Sequence, residues 1–529
     1  MNLLKIQSAA LLENKIYHAN ESRAIHFEVL GNGMKSRLFL ILGLFTLYHI
    51  ISGATLSLSG DGAYYWEWSR HLALSYYDHP PVIAYLIWLS TRLFGSSPLA
   101  IRLPNIILLL LTSLTIYRIA DYLFHDKKRS LAAVIVFNLF PIIFIGSIIT
   151  SPDAPSVFCY VLSLYLFIRI IYESNTKLWY VLAVVIGLGL LSKYTMILFV
   201  FSAFLFILIN KESRYWLVRK EPYLAIVIVL LCFTPVLIWN ANHQWVSFKF
   251  QFYGRHHLHI KWIRGLIFIA LQLLVLSPVF LVGIIITWVK NIRNKEIILL
   301  TCFCSPLFIF LLLSWVIDVR IYWPIMAVIP LAIIYVSDAR LLDKTFRWGV
   351  AISLLLCGII TLQEYYPVIR VSPLKKDPTT DFYSWAPVAN EVTAFLLNPA
   401  VDVRNWFVFD NRFQSAAQID YHLGGRYPVY ALSPNITGSS FWQDDSQIVG
   451  KNGILVMNNF WQYRPEDKFK CGKWVLYKTV DIVRAGAVFR KGFIYLCYGY
   501  KGLKQAQNPE RQRVEATKRV QELHNKLLQ

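Results

Sequence analysis

Between residues 38 and 366 the chain alternates long apolar runs with short polar linkers. At roughly 20 residues per bilayer crossing, the pattern predicts about eleven transmembrane helices. They fall at 38–57, 103–124, 130–149, 156–172, 178–191, a run ending near 209, then 222–239, 263–288, 297–316, 324–337 and 348–364. The run 82–94 is short for a crossing and reads as an interfacial helix in the first external loop. From 367 the period changes: 388–397 and 413–422 read as helices, and 406–409, 429–432, 454–457, 473–477 and 493–498 as strands. The expected fold class is an α-helical polytopic membrane protein with a C-terminal soluble α/β domain. The expected divisions are a cytoplasmic segment 1–37, a transmembrane domain 38–366, an α/β domain 367–500 and a charged, helix-prone tail 501–529.

Composition agrees with membrane residence. The 529 residues are 56% hydrophobic and 16% charged, with mean hydropathy +0.48; a soluble chain of this length carries more charge and shorter apolar runs. The formal net charge of +21 does not point to nucleic acid, because the cations sit in linkers between spans. Lys127, Lys128, Arg129, Lys211, Arg219, Lys220, Lys290, Lys295, Arg340 and Arg347 fall on one side, and Lys193, Lys249, Arg255, Lys261 and Arg320 on the other. The positive-inside rule makes the first side cytoplasmic. The N-terminus is then inside and, with an odd number of spans, the C-terminal domain outside. Anionic membrane lipids and phosphate-bearing lipids are the partners this charge suggests. Residues 1–34 lack the apolar core of a cleavable signal, so the first span reads as an uncleaved anchor. Five cysteines lie in apolar runs and read as packing residues, and the Cys302-x-Cys304 pair has no further ligands nearby. Cys471 and Cys497 lie in the soluble part and pair only if it faces an oxidising compartment.

The chemistry-bearing residues cluster where spans leave the bilayer. Asp61 follows the first span, and Asp78-His79-Pro80-Pro81 closes the same loop. An ionisable group at a membrane boundary marks a functional site or, with Tyr64 to Trp68, a plain interfacial belt. Asp78 and His79 are both good ligands for a divalent ion, or they form a simple turn. Asp153, in Ser-Pro-Asp-Ala-Pro, is a carboxylate for chemistry or a cap for the next helix. Lys193, in Leu-Leu-Ser-Lys-Tyr, is a phosphate contact or a snorkelling anchor. Arg255 offers a planar fork to a phosphate, and the histidines beside it are too irregularly spaced for a zinc site. Arg320 and Tyr322-Trp323-Pro324 are a second lipid or phosphate contact, or an aromatic belt.

Asp61-x-Ala-Tyr-Tyr-Trp followed by Tyr76-Tyr77-Asp78-His79-Pro80-Pro81 resembles the first external loop of bacterial membrane glycosyltransferases of the C-type fold. These use polyprenyl-phosphate sugars and are related to protein O-mannosyltransferases and to the lipid A aminoarabinose transferase. The resemblance runs over about residues 57–335 and continues loosely in Asp377-Pro378-Thr379-Thr380-Asp381 and Trp385. It implies catalytic roles for Asp61, as general base, and for Asp153. It implies donor phosphate or lipid contacts for His79, Lys193, Arg255, Arg320 and Tyr322, with a divalent metal ion at Asp78 and His79. Relatives often carry an acidic residue directly after the first aspartate, where this chain has Gly62. The implied reaction moves a sugar from a polyprenyl-phosphate donor to lipid A, lipopolysaccharide or another envelope glycan, on the periplasmic face of the bacterial inner membrane. The alternatives are a protein O-glycosyltransferase and a non-catalytic carrier or flippase. A carrier predicts broken spans and inverted repeats, and the sequence shows neither.

Overall fold

The computed structural model describes residues 32–504 except 147, 255–259, 367, 370–376, 384 and 485. Among these, five helices are long and apolar enough to cross a membrane: Lys35–Thr55, Pro98–Phe124, Asp153–Glu173, Lys220–Asn242 and Ala339–Tyr365. Three further pairs of helices pass the same test together but are bent, which raises the number to eight if each pair is one span. Val82–Phe94, Leu178–Leu190 and Ile325–Tyr335 are shorter apolar helices. The eleven straight spans expected are therefore not reproduced one for one. The clearest departure is 263–288, which is two helices, Trp262–Val275 and Pro278–Asn291, bent by 99°. Proline excludes the preceding residue from the helical region, and Ser277 accordingly sits at φ 61°, ψ 119°. Pro141 acts likewise on the 130–149 run: Phe140 turns to ψ 122° and ends the helix Lys127–Leu139. Broken spans, absent from the sequence reading, are thus present.

Side chains pin the helix ends at both faces. On the basic side, Asp126 and Asp338 cap the helices that follow them. Arg129 donates to the carbonyls of Val336 (2.7 Å) and Ser337 (2.5 Å). On the opposite side Arg102, fully buried, donates to the carbonyls of Ile148 (2.8 Å), Gly53 (2.9 Å), Leu56 (2.6 Å) and Ser57 (2.6 Å). One guanidinium thereby satisfies carbonyls freed where the first helix ends and in the turn at 148–152, a need that low-dielectric surroundings make strict. Between these faces a continuous core of Phe137, Phe140, Tyr160, Phe167, Phe199, Phe303 and Tyr335 packs the helices together.

The soluble domain is a five-stranded sheet of order β2-β1-β3-β5-β4, with β1 Trp406–Asp410, β2 Val429–Ala431, β3 Asn452–Asn458, β4 Phe469–Arg484 and β5 Ala487–Leu503. β1 is parallel to both neighbours, β3 is antiparallel to β5, and β4 and β5 form a long hairpin. Alternation divides β1 between two cores, with Trp406 and Val408 under the helix Ala386–Leu396 and Phe407 and Phe409 against Leu455, Phe469 and Tyr500. This explains an unbroken apolar run in a central strand. A disulfide joins Cys471 to Cys497.

The domain docks on the loop that follows the first membrane helix. The helix Gly60–Arg70 lies against the helix Phe413–His422. Arg70 pairs with Asp420 at 2.6 Å, and Gln418 donates to the Leu58 carbonyl at 2.6 Å. Gly438 approaches so closely that a Cβ there would lie 2.0 Å from the Tyr64 hydroxyl oxygen. A second anchor fixes the domain to the last membrane helix: buried Arg484 pairs with buried Asp377 at 3.1 Å, and Gln363 donates to the same carboxylate at 2.8 Å.

Candidate active site

Ser59 caps the helix Gly60–Arg70 by accepting the Gly62 amide hydrogen (3.1 Å). The cap sets Asp61 in the first helical turn, where a carboxylate is favoured by the helix dipole. The side chain is exposed, and it opens into a cavity of about 740 Å³. His79, Asp153, Lys193 and Tyr322 line the same cavity. Asp78 stands beside it: its Oδ2 accepts the Tyr64 hydroxyl at 2.7 Å, and its carbonyl accepts Gln251 Nε2 at 2.6 Å. Tyr65 lies among these groups. Burial, then the negative charges of Asp61 and Asp78, raises its phenol well above the ordinary range.

Asp153 is the first residue of its helix, and its carboxylate faces Lys193 at 2.5 Å, with Ser151 Oγ at 3.4 Å. Lys193 in turn lies over the Tyr322 ring, 5.5 Å from its centre. Both members of the ion pair are buried. The lysine is therefore no snorkelling anchor, and the aspartate is not the helix cap, a position held by Pro152 without a side-chain cap bond. Arg320 is exposed and is not among the cavity-lining residues, although Ile321 and Tyr322 are. Arg255 lies outside the described residues. Among the described residues no three His, Cys, Asp or Glu side chains form a group able to hold a metal ion. Asp78 and His79 alone supply two donors, a number that suits a divalent ion only when substrate phosphates complete its shell.

Much of the remaining wall is apolar and comes from membrane helices, including Leu109, Phe137, Ile143, Val157, Phe310 and Ile360. The outer wall includes Gln363, Asp377, Thr379, Asp381 and Phe382. None of these five stands out in the sequence as a site residue. The one available signal is the loose likeness of the Asp377–Asp381 segment to relatives.

Behind the site, Glu67 is buried and receives Trp442 Nε1 (3.3 Å) and Gln443 Nε2 (3.5 Å) from the soluble domain. Burial, with Asp420 adding to it, raises Glu67 from its ordinary 4.5 to about 8. Burial raises Asp420 to about 6 against the pull of Arg70. A carboxyl raised in the fold stabilises it below its unfolded pKa, and that contribution is lost as pH rises through the folded value. The docked interface is thus expected to weaken between pH 4.5 and about 8. Thermal unfolding across that range should show the decline, and Glu67→Gln should flatten it; an unchanged slope would contradict this assignment.

Residues 78–239 match the family described as dolichyl-phosphate-mannose-protein mannosyltransferase. That match, with the fold, gives the class the chain resembles: multi-pass membrane glycosyltransferases of the C-type fold. The lipid A galacturonosyltransferase RgtD of Rhizobium johnstonii is 24% identical over 445 residues, covering 80% of this chain and 92% of that protein. Two crystal structures of ArnT from Cupriavidus metallidurans share the fold. The one bound to undecaprenyl phosphate gives a TM-score of 0.64 at 12% identity over 88% of this chain and 98% of that one. The apo structure gives 0.57 at 13% identity over 87% and 97%.

Proposed function

We propose that the chain transfers a sugar from a polyprenyl-phosphate donor to lipid A or a related envelope glycolipid on the periplasmic face of the bacterial inner membrane. The observation that carries this is the placement of Asp61, His79, Tyr322 and the Asp153–Lys193 pair on one cavity with a long apolar wall. The names of the relatives, one a lipid A galacturonosyltransferase and one solved with undecaprenyl phosphate, support donor and acceptor class. The Cys471–Cys497 disulfide supports an oxidising compartment for the soluble domain.

The isoprenoid tail lies along the apolar wall, Lys193 and His79 receive the phosphate, and the Tyr322 ring flanks Lys193. Asp61 removes the proton of the acceptor hydroxyl. That oxygen bonds to the anomeric carbon, the bond from this carbon to the phosphate oxygen breaks, and polyprenyl phosphate departs with the bonding electrons. Asp153 holds Lys193 in place through their ion pair. A divalent ion, held by Asp78, His79 and donor phosphate oxygens, would add positive charge opposite the leaving phosphate. EDTA is then expected to slow transfer and one added divalent ion to restore it; activity indifferent to chelation removes the ion from the scheme.

The test is polyprenyl phosphate release by purified protein in detergent, with a panel of polyprenyl-phosphate sugars against lipid A and peptide acceptors. Release that requires one sugar and lipid A is expected. Release with peptide alone favours the protein acceptor named in the family match. No release from folded, donor-binding protein would overturn the enzymatic scheme.

A further inference from the structure

The soluble domain brings a cation close to the cavity on the side away from the membrane. Arg412 is half-buried, and its guanidinium carbon stacks 3.9 Å from the centre of the Trp461 ring. Trp461 is 53% exposed. The two residues after Arg412 touch the helix that carries Asp61. Phe413 lies 4.5 Å, centre to centre, from the Tyr64 ring, and Gln414 packs on Gly60, where its Cβ would be 2.9 Å from an added Cβ. Asp381, on the cavity wall, accepts the Gly60 amide and lies within the field of Arg412, as do Asp410 and Asp61. Among the described residues Arg412 appears in no ion pair, unlike Lys193 or Arg484.

We propose that Arg412 and Trp461 form an acceptor subsite, in which the guanidinium takes a phosphate carried by the acceptor and the open side of the indole takes its sugar ring. The assignment rests on the transfer reaction proposed above and names how the acceptor is held. The donor's tail requires the apolar wall built by membrane helices, so the donor enters from that side. An acceptor delivering its hydroxyl to Asp61 leaves the rest of its headgroup on the other side, against the soluble domain. Asp61, Asp381 and Asp410 make the surroundings there acidic, so an anion is held at that side only through the planar guanidinium of Arg412, which is in no ion pair with any of them. Its fork matches phosphate oxygens, and an aromatic face with an apolar body and polar edge suits a sugar ring.

The experiment is steady-state transfer by the full-length protein, with lipid A and with the same lipid A stripped of its phosphates. The variants are Arg412→Gln and Trp461→Ala, and donor and acceptor are varied separately. Loss of a charge-assisted contact is expected to raise the KM for lipid A about tenfold or more in Arg412→Gln. The donor KM and kcat should stay within about twofold. Wild type with stripped lipid A should resemble Arg412→Gln with intact lipid A, and the variant should not discriminate between the two. Trp461→Ala, at an exposed position, should raise both acceptor KM values alike. Unchanged acceptor KM in both variants, or a shift confined to the donor KM, overturns the subsite. Absence of turnover in wild type removes the transfer reaction on which the subsite rests, and is told apart from the former because the variants are then not compared at all.

Discussion

Asp61→Asn is expected to lower sugar transfer by about 10²–10⁴-fold, the range of a lost general base, with donor binding intact. The amide keeps the shape of the side chain but cannot take the acceptor proton. Asp61 is exposed to the cavity, so the change buries no new group. The stabilising terms at risk are the carboxylate at the helix N-terminus, about 0.3–1 kcal/mol, and its attraction to Arg412 across the cavity edge. Activity and stability should therefore separate cleanly: kcat collapses while the unfolding temperature moves by little. Two measurements suffice, turnover by polyprenyl phosphate release and unfolding in the same detergent. A variant that keeps more than a tenth of wild-type turnover would show that another group accepts the proton.

The second large effect concerns Asp153 and Lys193. Both are buried, at 2.5 Å, so removing either one leaves an uncompensated charge out of water. Asp153→Asn or Lys193→Met alone should destabilise by about 3–5 kcal/mol. The double variant removes both charges and should recover most of that loss, because a neutral pair of similar volume is well tolerated in such surroundings. Transfer should not recover, since the phosphate then has no ammonium to meet. The readout is a double-mutant cycle run in parallel on unfolding and on turnover. Recovery of turnover in the double variant would reduce the pair to scaffolding.

The polar ends of the apolar runs were legible in the sequence because a charge at a bilayer boundary has few reasons to be there. Asp61, His79, Asp153, Lys193 and Tyr322 come from four separate boundaries or loops, and all line one cavity. Arg320 carried the same signal, yet it is exposed and outside that lining. A charge at a helix end and a charge in a site look alike until the neighbours are known. Hydropathy averages over single residues, so it read 263–288 as one span although Pro278 was in plain view. In β4 the pattern failed differently. An edge strand with Lys470, Lys473 and Lys478 exposed on it does not look like a 16-residue strand, and only 473–477 stood out. The contributions of Gln363, Asp377, Thr379 and Asp381 were not legible as site residues, because they depend on one domain seating on a loop some 300 residues away. Glu67 and Arg70 were hidden for the same reason: in sequence they are the polar side of a short helix.

That seating has a consequence for synthesis. The cavity takes its wall from residues between Ser59 and Phe382, and the surface that holds the first loop in place lies later still, at Gln418, Asp420 and Gly438. Helices inserted early therefore wait, with Asp61 already at the membrane boundary but without its outer wall. A ribosome adding about 5–20 residues per second needs many seconds to pass from one to the other. During that interval the nascent protein displays the apolar wall of the cavity without its outer residues. The C-terminal domain acts as the last part fitted, and a chain interrupted before it lacks the surface that seats the first loop.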